Sequence, residues 1–117
     1  MTKTEKFYKD FVCWLNGLIE DDPIPYEISS LVFFVNNHAE IGMSGTETKQ
    51  VKNIDYNFYF PLEAQYFYCI EFYNQKNFNI DKSLKFLEES LNKLKKDKYF
   101  GKFNLFFGKL FCKAKKI

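Results

Sequence analysis

One histidine, three widely spaced cysteines and one dense acidic run are the side chains through which this sequence could do chemistry. A general base needs a nucleophile and an orienting partner within hydrogen-bond reach. His38 has only Glu40 near it in sequence and sits in an Asn36-Asn37-His38 turn, so it reads as a solvated turn residue. Gly42-Met43-Ser44-Gly45 approaches a nucleophile elbow, but Thr46 stands where that pattern needs a second glycine. The segment also falls on an expected hairpin strand rather than a strand-to-helix turn. Cys13, Cys69 and Cys112 are odd in number and each lies more than 40 residues from the next. Neither a disulfide framework nor a zinc site is spaced that way, and three thiols in a reducing compartment are the expectation.

The acidic run Glu20-Asp21-Asp22, with Glu27 close behind, lacks the Asp-x-Asp-x-Asp-Gly spacing of a calcium loop. Its remaining use is as a negative patch for a basic partner. Aromatic side chains concentrate interface energy, which makes Tyr26 and Tyr59 the expected anchors beside it. Lys98-Tyr99-Phe100-Gly101-Lys102-Phe103 mixes aromatic and basic residues as RNA-binding strands do, but in the wrong register. All 17 basic residues are Lys, and Arg is the preferred residue for bidentate base recognition and stacking. The missing Arg argues against a nucleic-acid reader. No catalytic constellation, metal or cofactor is implied, and the chain reads as non-enzymatic.

These residues must be positioned by a small set of elements. Phe7, Phe11, Trp14, Leu15 and Leu18 recur at helical spacing and predict a helix over 5–19, with Cys13 off the apolar stripe. Pro23 and the carboxylates before it end that helix. The run around Leu31-Val32-Phe33-Phe34-Val35 predicts a strand over 27–35, and 40–44 returns antiparallel across the Asn-rich turn. Ile54, Tyr56, Phe58 and Phe60 alternate with polar residues and Tyr59, which predicts a third strand over 54–60. Pro61-Leu62-Glu63-Ala64 opens an expected helix carrying Tyr66, Cys69 and Tyr73 on one face, with a strand through 66–68 as the competing reading. Ile80, Leu84, Leu87, Leu91 and Leu94 form the strongest helical stripe, over 81–97. Over 99–114, six Phe and Leu side chains fall on one helical arc with Lys102, Lys109 and Lys113 opposite, which predicts a last helix. The expected fold is therefore α+β: a three-stranded antiparallel sheet spanning about 27–60, packed against an N-terminal helix and two or three C-terminal helices.

At 117 residues the chain has the length of one domain, 1–117, and its 21% aromatic content with five Gly and three Pro excludes disorder. No apolar run exceeds five residues and the N-terminus lacks a signal-peptide pattern, so a cytoplasmic protein without a membrane span is expected. The net charge of +2 conceals a split: residues 1–60 carry five Lys and nine carboxylates, while the remainder carries twelve Lys and six. Such asymmetry predicts a two-faced molecule whose acidic side steers a cationic partner.

The order of helix, hairpin over 27–44, strand over 54–60, Pro61-Leu62-Glu63-Ala64 helix and Leu84/Leu87/Leu91/Leu94 helix resembles, in outline, the small immunity proteins of bacterial polymorphic-toxin systems. The contact-dependent growth-inhibition kind is the nearest in size, compartment and Arg-poor composition. The resemblance spans the whole chain but no motif carries it, so it transfers no individual residue. It implies a protein partner, one cognate toxin domain, commonly a nuclease, bound and blocked by direct association. Many such proteins are acidic, and the net charge of +2 departs from that pattern unless the acidic N-terminal half forms the interface. The residues expected there on their own chemistry are Glu20, Asp21, Asp22 and Glu27 with Tyr26 and Tyr59. A module binding nucleic acid or a membrane surface through the Lys-rich C-terminal helix is the rival expectation.

Overall fold

The computed structural model describes residues 2–55, 66–67 and 79–117. Helix α1 spans Lys3–Asp21 and begins where the Thr2 hydroxyl accepts the Glu5 N–H at 3.1 Å. Its buried face is Phe7, Phe11, Leu15 and Leu18, the predicted stripe apart from Trp14, which is half-buried against the same core, while Cys13 is exposed as expected. Strands β1, Ser30–Val35, and β2, Ile41–Thr46, pair antiparallel from Ser30 opposite Thr46 to Val35 opposite Ile41. Helix α2, Ile80–Leu94, is capped by the Asn79 side chain, which accepts the Lys82 N–H at 3.0 Å. A single 3₁₀ turn at Phe100–Lys102 leads into β3, Asn104–Lys109, and the short β4, Lys115–Lys116.

The sheet order is β2-β1-β3-β4, and β1 and β3 run parallel with Leu31 opposite Leu105 and Phe33 opposite Phe107. The α+β class stands, but the all-antiparallel three-stranded sheet is corrected to a mixed four-stranded one. Residues 99–114 are likewise corrected from helix to turn and strand. The reason is burial on both faces. Side chains alternate across a strand, so Leu105 and Phe107 join Leu31, Phe33, Val35, Ile41 and Met43 under the helices, while Phe106 joins Val32 and Phe34 on the other face with Val51 and Ile54. A strand buried on both sides has no polar face to reveal its period. Its six-residue Phe-rich run therefore satisfied a helical wheel equally well.

Of the predicted third strand, residues 56–60 lie outside the described residues, and Tyr59 with them. The described beginning of that segment does not extend the hairpin. Ile54 donates to the Cys112 carbonyl at 2.8 Å and accepts from Phe111 at 2.7 Å, and Asn53 bridges Lys113. The predicted helix after Pro61 also lies outside the described residues except at 66–67. There the competing extended reading holds: Phe67 and Ile41 exchange backbone hydrogen bonds at 2.7 and 2.8 Å. Among the described residues the C-terminal part thus contributes one α-helix rather than two or three.

Aromatic rings fill the space between α1 and the sheet. Phe67 meets Phe7 edge-on at 5.4 Å and Phe11 at 5.8 Å, and Phe11 reaches Phe33 at 5.6 Å, all within the range where such pairs add to simple burial. Most of the chain's aromatic excess in the described residues is core, not ligand chemistry.

A cleft between the helix end and the 3₁₀ turn

The connection leaving α1 carries the acidic group. Glu20 and Asp21 occupy the last turn, Asp22 caps it through its N–H to the Leu18 carbonyl at 2.9 Å, and Glu27 follows exposed. No basic residue lies in that last turn, and none of the four carboxylates has an ion-pair partner among the described residues. Negative charge at a helix C-terminus opposes the macrodipole. These carboxylates therefore do not stabilise the helix that bears them.

Beyond Pro23 the chain turns sharply, with Ile28 N–H donating to the Pro25 carbonyl at 3.1 Å. The turn throws Tyr26 outward to 99% exposure while Ile28 is buried behind it. Facing this wall is the 3₁₀ turn. One Asp97 carboxylate oxygen accepts the Tyr99 and Phe100 N–H groups at 2.9 and 3.0 Å. Lys95 Nζ donates to the carbonyls of Gly101 at 3.2 Å and Phe103 at 2.6 Å, so a cation clamps the segment from inside. A Cβ at Gly101 would stand 2.6 Å from the Lys95 carbonyl oxygen, which is why that position is glycine.

The two walls meet where Asn104 N–H donates to the Ser29 carbonyl at 3.0 Å. Ser30 Oγ donates to the Thr48 carbonyl at 2.6 Å and draws in the loop that bears Lys49. The resulting cleft has a volume of about 490 Å³. Ile24, Ile28 and Phe103 give it apolar surface, Tyr26 and Tyr99 bracket it, and Lys49 and Lys102 supply its charge. Lys102 Nζ lies 5.6 Å from the Tyr99 ring centroid, a cation–π distance.

Of the sequence-predicted residues, Tyr26 lines this cleft, whereas Glu20, Asp21, Asp22 and Glu27 flank it along the chain without lining it. Tyr99, Lys102 and Phe103 belong to the aromatic-basic segment, where the helical reading puts Phe103 on the apolar arc and Lys102 opposite it, and Lys49 gives no signal. The lining contains no His, Cys or carboxylate among the described residues, so it presents no acid–base pair. His38 is exposed in the hairpin turn, where its N–H donates to Asn36 Oδ1 at 2.9 Å. No group of three His, Cys, Asp or Glu side chains among the described residues is placed to hold a metal ion. No helix among them is long and apolar enough to cross a membrane.

Electrostatic perturbation is concentrated elsewhere. The Tyr8 phenol on α1 is pushed above its ordinary pKa, first by burial and then by the Asp97 carboxylate. Lys93 Nζ sits 5.3 Å from the same ring. Asp97 thus holds the 3₁₀ turn that forms one cleft wall and also acts on α1. No family model matches the chain, and neither a curated protein nor a solved structure is detectably similar to it.

Proposed function

We propose that the chain is a non-catalytic cytoplasmic binding protein that neutralises a cognate toxin domain, of nuclease type, by direct association. The observation that carries this reading is Tyr26, wholly exposed on a turn beside four carboxylates that lack ion-pair partners among the described residues. A large aromatic held clear of the core costs solvation and gains nothing in folding, and the carboxylates oppose the helix dipole. Both features favour a partner. An apolar side chain of that partner enters between Tyr26 and Tyr99, while the carboxylates steer a basic surface toward it.

The test is co-expression with the C-terminal domain of a large secreted protein encoded in the adjacent upstream reading frame. The expected result is growth rescue by this chain, with rescue and affinity reduced together in Tyr26→Ala and in the Glu20→Gln, Asp21→Asn, Asp22→Asn, Glu27→Gln combination. The carboxylate variant loses chiefly association rate at low salt. Undiminished affinity and on-rate in both variants would remove this surface from the interface. Failure of the chain to rescue growth or bind that domain would end the toxin reading.

A further inference from the structure

We infer that the cleft between Tyr26 and Tyr99 is a small-molecule site whose ligands are apolar monocarboxylates, an aryl or alkyl body ending in one carboxylate. Such a site needs no protein partner, so it stands or falls apart from the toxin reading. Its volume of about 490 Å³ lies within the range of sites that enclose small ligands. Ile28 is buried and Ile24 and Phe103 are half-buried, which gives the cleft an apolar floor. Tyr26, Tyr99, Lys49 and Lys102 are exposed around it. An apolar interior with a few charged groups at one side is the usual make-up of a small-ligand site.

Charge decides the ligand class. Lys49 and Lys102 are the only charged groups in the lining, and neither has an ion-pair partner among the described residues. The Lys102 ammonium rests 5.6 Å from the Tyr99 ring centroid. It has three donors and keeps that contact while bonding a carboxylate. The hollows beside the N-terminal end of α2 differ, since Asp81 stands among the lysines of both and Glu88 among those of one. Only an anion complements the cleft.

That anion is small and singly charged. Glu20, Asp21, Asp22 and Glu27 flank the cleft along the chain and repel a polyanion laid across it. Phosphate is best met by Arg forks or by free N–H groups at the start of a helix. The chain has no Arg, and Asp97 already accepts the Tyr99 and Phe100 N–H groups that open the 3₁₀ turn. Two ammonium groups above an apolar floor fit one carboxylate carried on an apolar body. The walls are also in place beforehand. Lys95 clamps the Gly101 and Phe103 carbonyls, and Ser30 Oγ holds the loop bearing Lys49 through the Thr48 carbonyl. A preformed site spares the ligand the cost of ordering it.

The probe is hydrocinnamate, a phenyl ring on a short chain ending in a carboxylate, titrated into the full chain and followed by amide shifts in two-dimensional NMR. The corresponding alcohol and amine are the isosteres. Expected is a Kd on the order of 1 mM, normal for a ligand of this size, with shifts centred on Ile28, Tyr99 and Phe103. The alcohol and the amine bind at least about fivefold more weakly. Lys49→Gln with Lys102→Gln lowers hydrocinnamate to the affinity of the alcohol and leaves the alcohol's own affinity unchanged. Tyr26→Ala weakens hydrocinnamate about fivefold through loss of the ring contact. Its unfolding midpoint stays that of the parent, because the Tyr26 side chain is wholly exposed. Circular dichroism of each variant shows that the fold persists. Absence of shifts at about 10 mM hydrocinnamate, well above the expected Kd, overturns the proposal. So do shifts centred away from the cleft, an alcohol or amine that binds as tightly as the carboxylate, or affinity indifferent to the lysine or Tyr26 changes.

Discussion

The Ser83 hydroxyl donates to the Ala39 carbonyl oxygen at 3.0 Å, joining the first turn of α2 to the hairpin turn between β1 and β2. Ala39 itself sits at φ of 61°. The Asn36 side chain supports that geometry by accepting the His38 and Glu40 N–H groups at 2.9 and 3.0 Å and donating to the Glu40 carboxylate at 2.9 Å. The residue that takes the left-handed conformation is thus not either asparagine, the types that favour it, but the alanine the serine holds.

Ser83→Ala leaves a buried carbonyl without that donor and is expected to cost about 1–2 kcal/mol. Urea unfolding should show a lower midpoint at unchanged slope. A midpoint equal to the parent's would mean that water or a neighbour replaces the hydroxyl without loss.

Ala39→Gly works in the opposite direction. Left-handed backbone costs a non-glycine residue about 1–2 kcal/mol, and glycine loses part of that gain to its greater freedom when unfolded. A net stabilisation of about 0.5–1 kcal/mol is expected in the same unfolding measurement.

The clamp on the 3₁₀ turn supplies a third prediction. Gly101→Ala drives a Cβ against the Lys95 carbonyl, and rigid backbone cannot yield as a side chain would. A loss of about 2 kcal/mol or more is expected, with the cleft wall displaced. Crosslinking or partner binding through Tyr99 should fall with it, whereas the equivalent change at Gly17, which has open space around it, should leave binding unchanged.

Tyr8 gives the pH dependence. Its pKa in the folded chain is raised above 10.0, so folding favours the neutral phenol. That contribution is whole below the unfolded value of about 10 and is lost as pH rises through the folded pKa. Asp97→Asn removes the carboxylate's charge while keeping an oxygen to accept the Tyr99 and Phe100 N–H groups. A difference titration of the phenolate absorbance against Tyr8→Phe should place the transition lower in Asp97→Asn, though still above the ordinary value because burial remains. An unmoved transition would show that Asp97 does not act on Tyr8.

The acidic helix end separates folding from binding. Replacing Glu20 and Asp21 by Gln and Asn removes charge that opposes the α1 dipole and should raise stability by about 0.5 kcal/mol. The proposed partner affinity should fall at the same time. Thermal unfolding and binding measured on the same variant distinguish this from a simple loss of structure.

Both described helices were legible because each has a polar face that exposes its period: Lys6 and Lys9 opposite Phe7 and Phe11, or Lys82 and Lys85 opposite Leu87 and Leu91. The hairpin is buried on both faces and was legible instead from its β-branched and aromatic run and the Asn-rich turn that closes it. β3 was not, because Phe106 and Phe107 bury on opposite sides of the sheet and its partner is β1, far away in sequence. No local signal distinguishes that pairing from a helix. The same non-locality hid half of the cleft. Tyr26 stood out beside the carboxylates, but Tyr99, Lys102 and Phe103 reach it only because Asn104 hydrogen-bonds to Ser29.

The parallel registration of β1 with β3 also constrains how the molecule is made. Leu31 must wait for Leu105, about seventy positions later, so the central strands pair only after a long loop has closed. During translation β1 emerges early as an uninterrupted apolar segment, Leu31 to Val35, with β2 covering one edge and nothing yet beside the other. The nascent chain therefore passes through a stage that invites strand-to-strand association between copies. Synthesis at high concentration should be limited by that stage rather than by the stability of the finished fold, and slower translation or a chaperone that shields extended apolar segments should raise the yield.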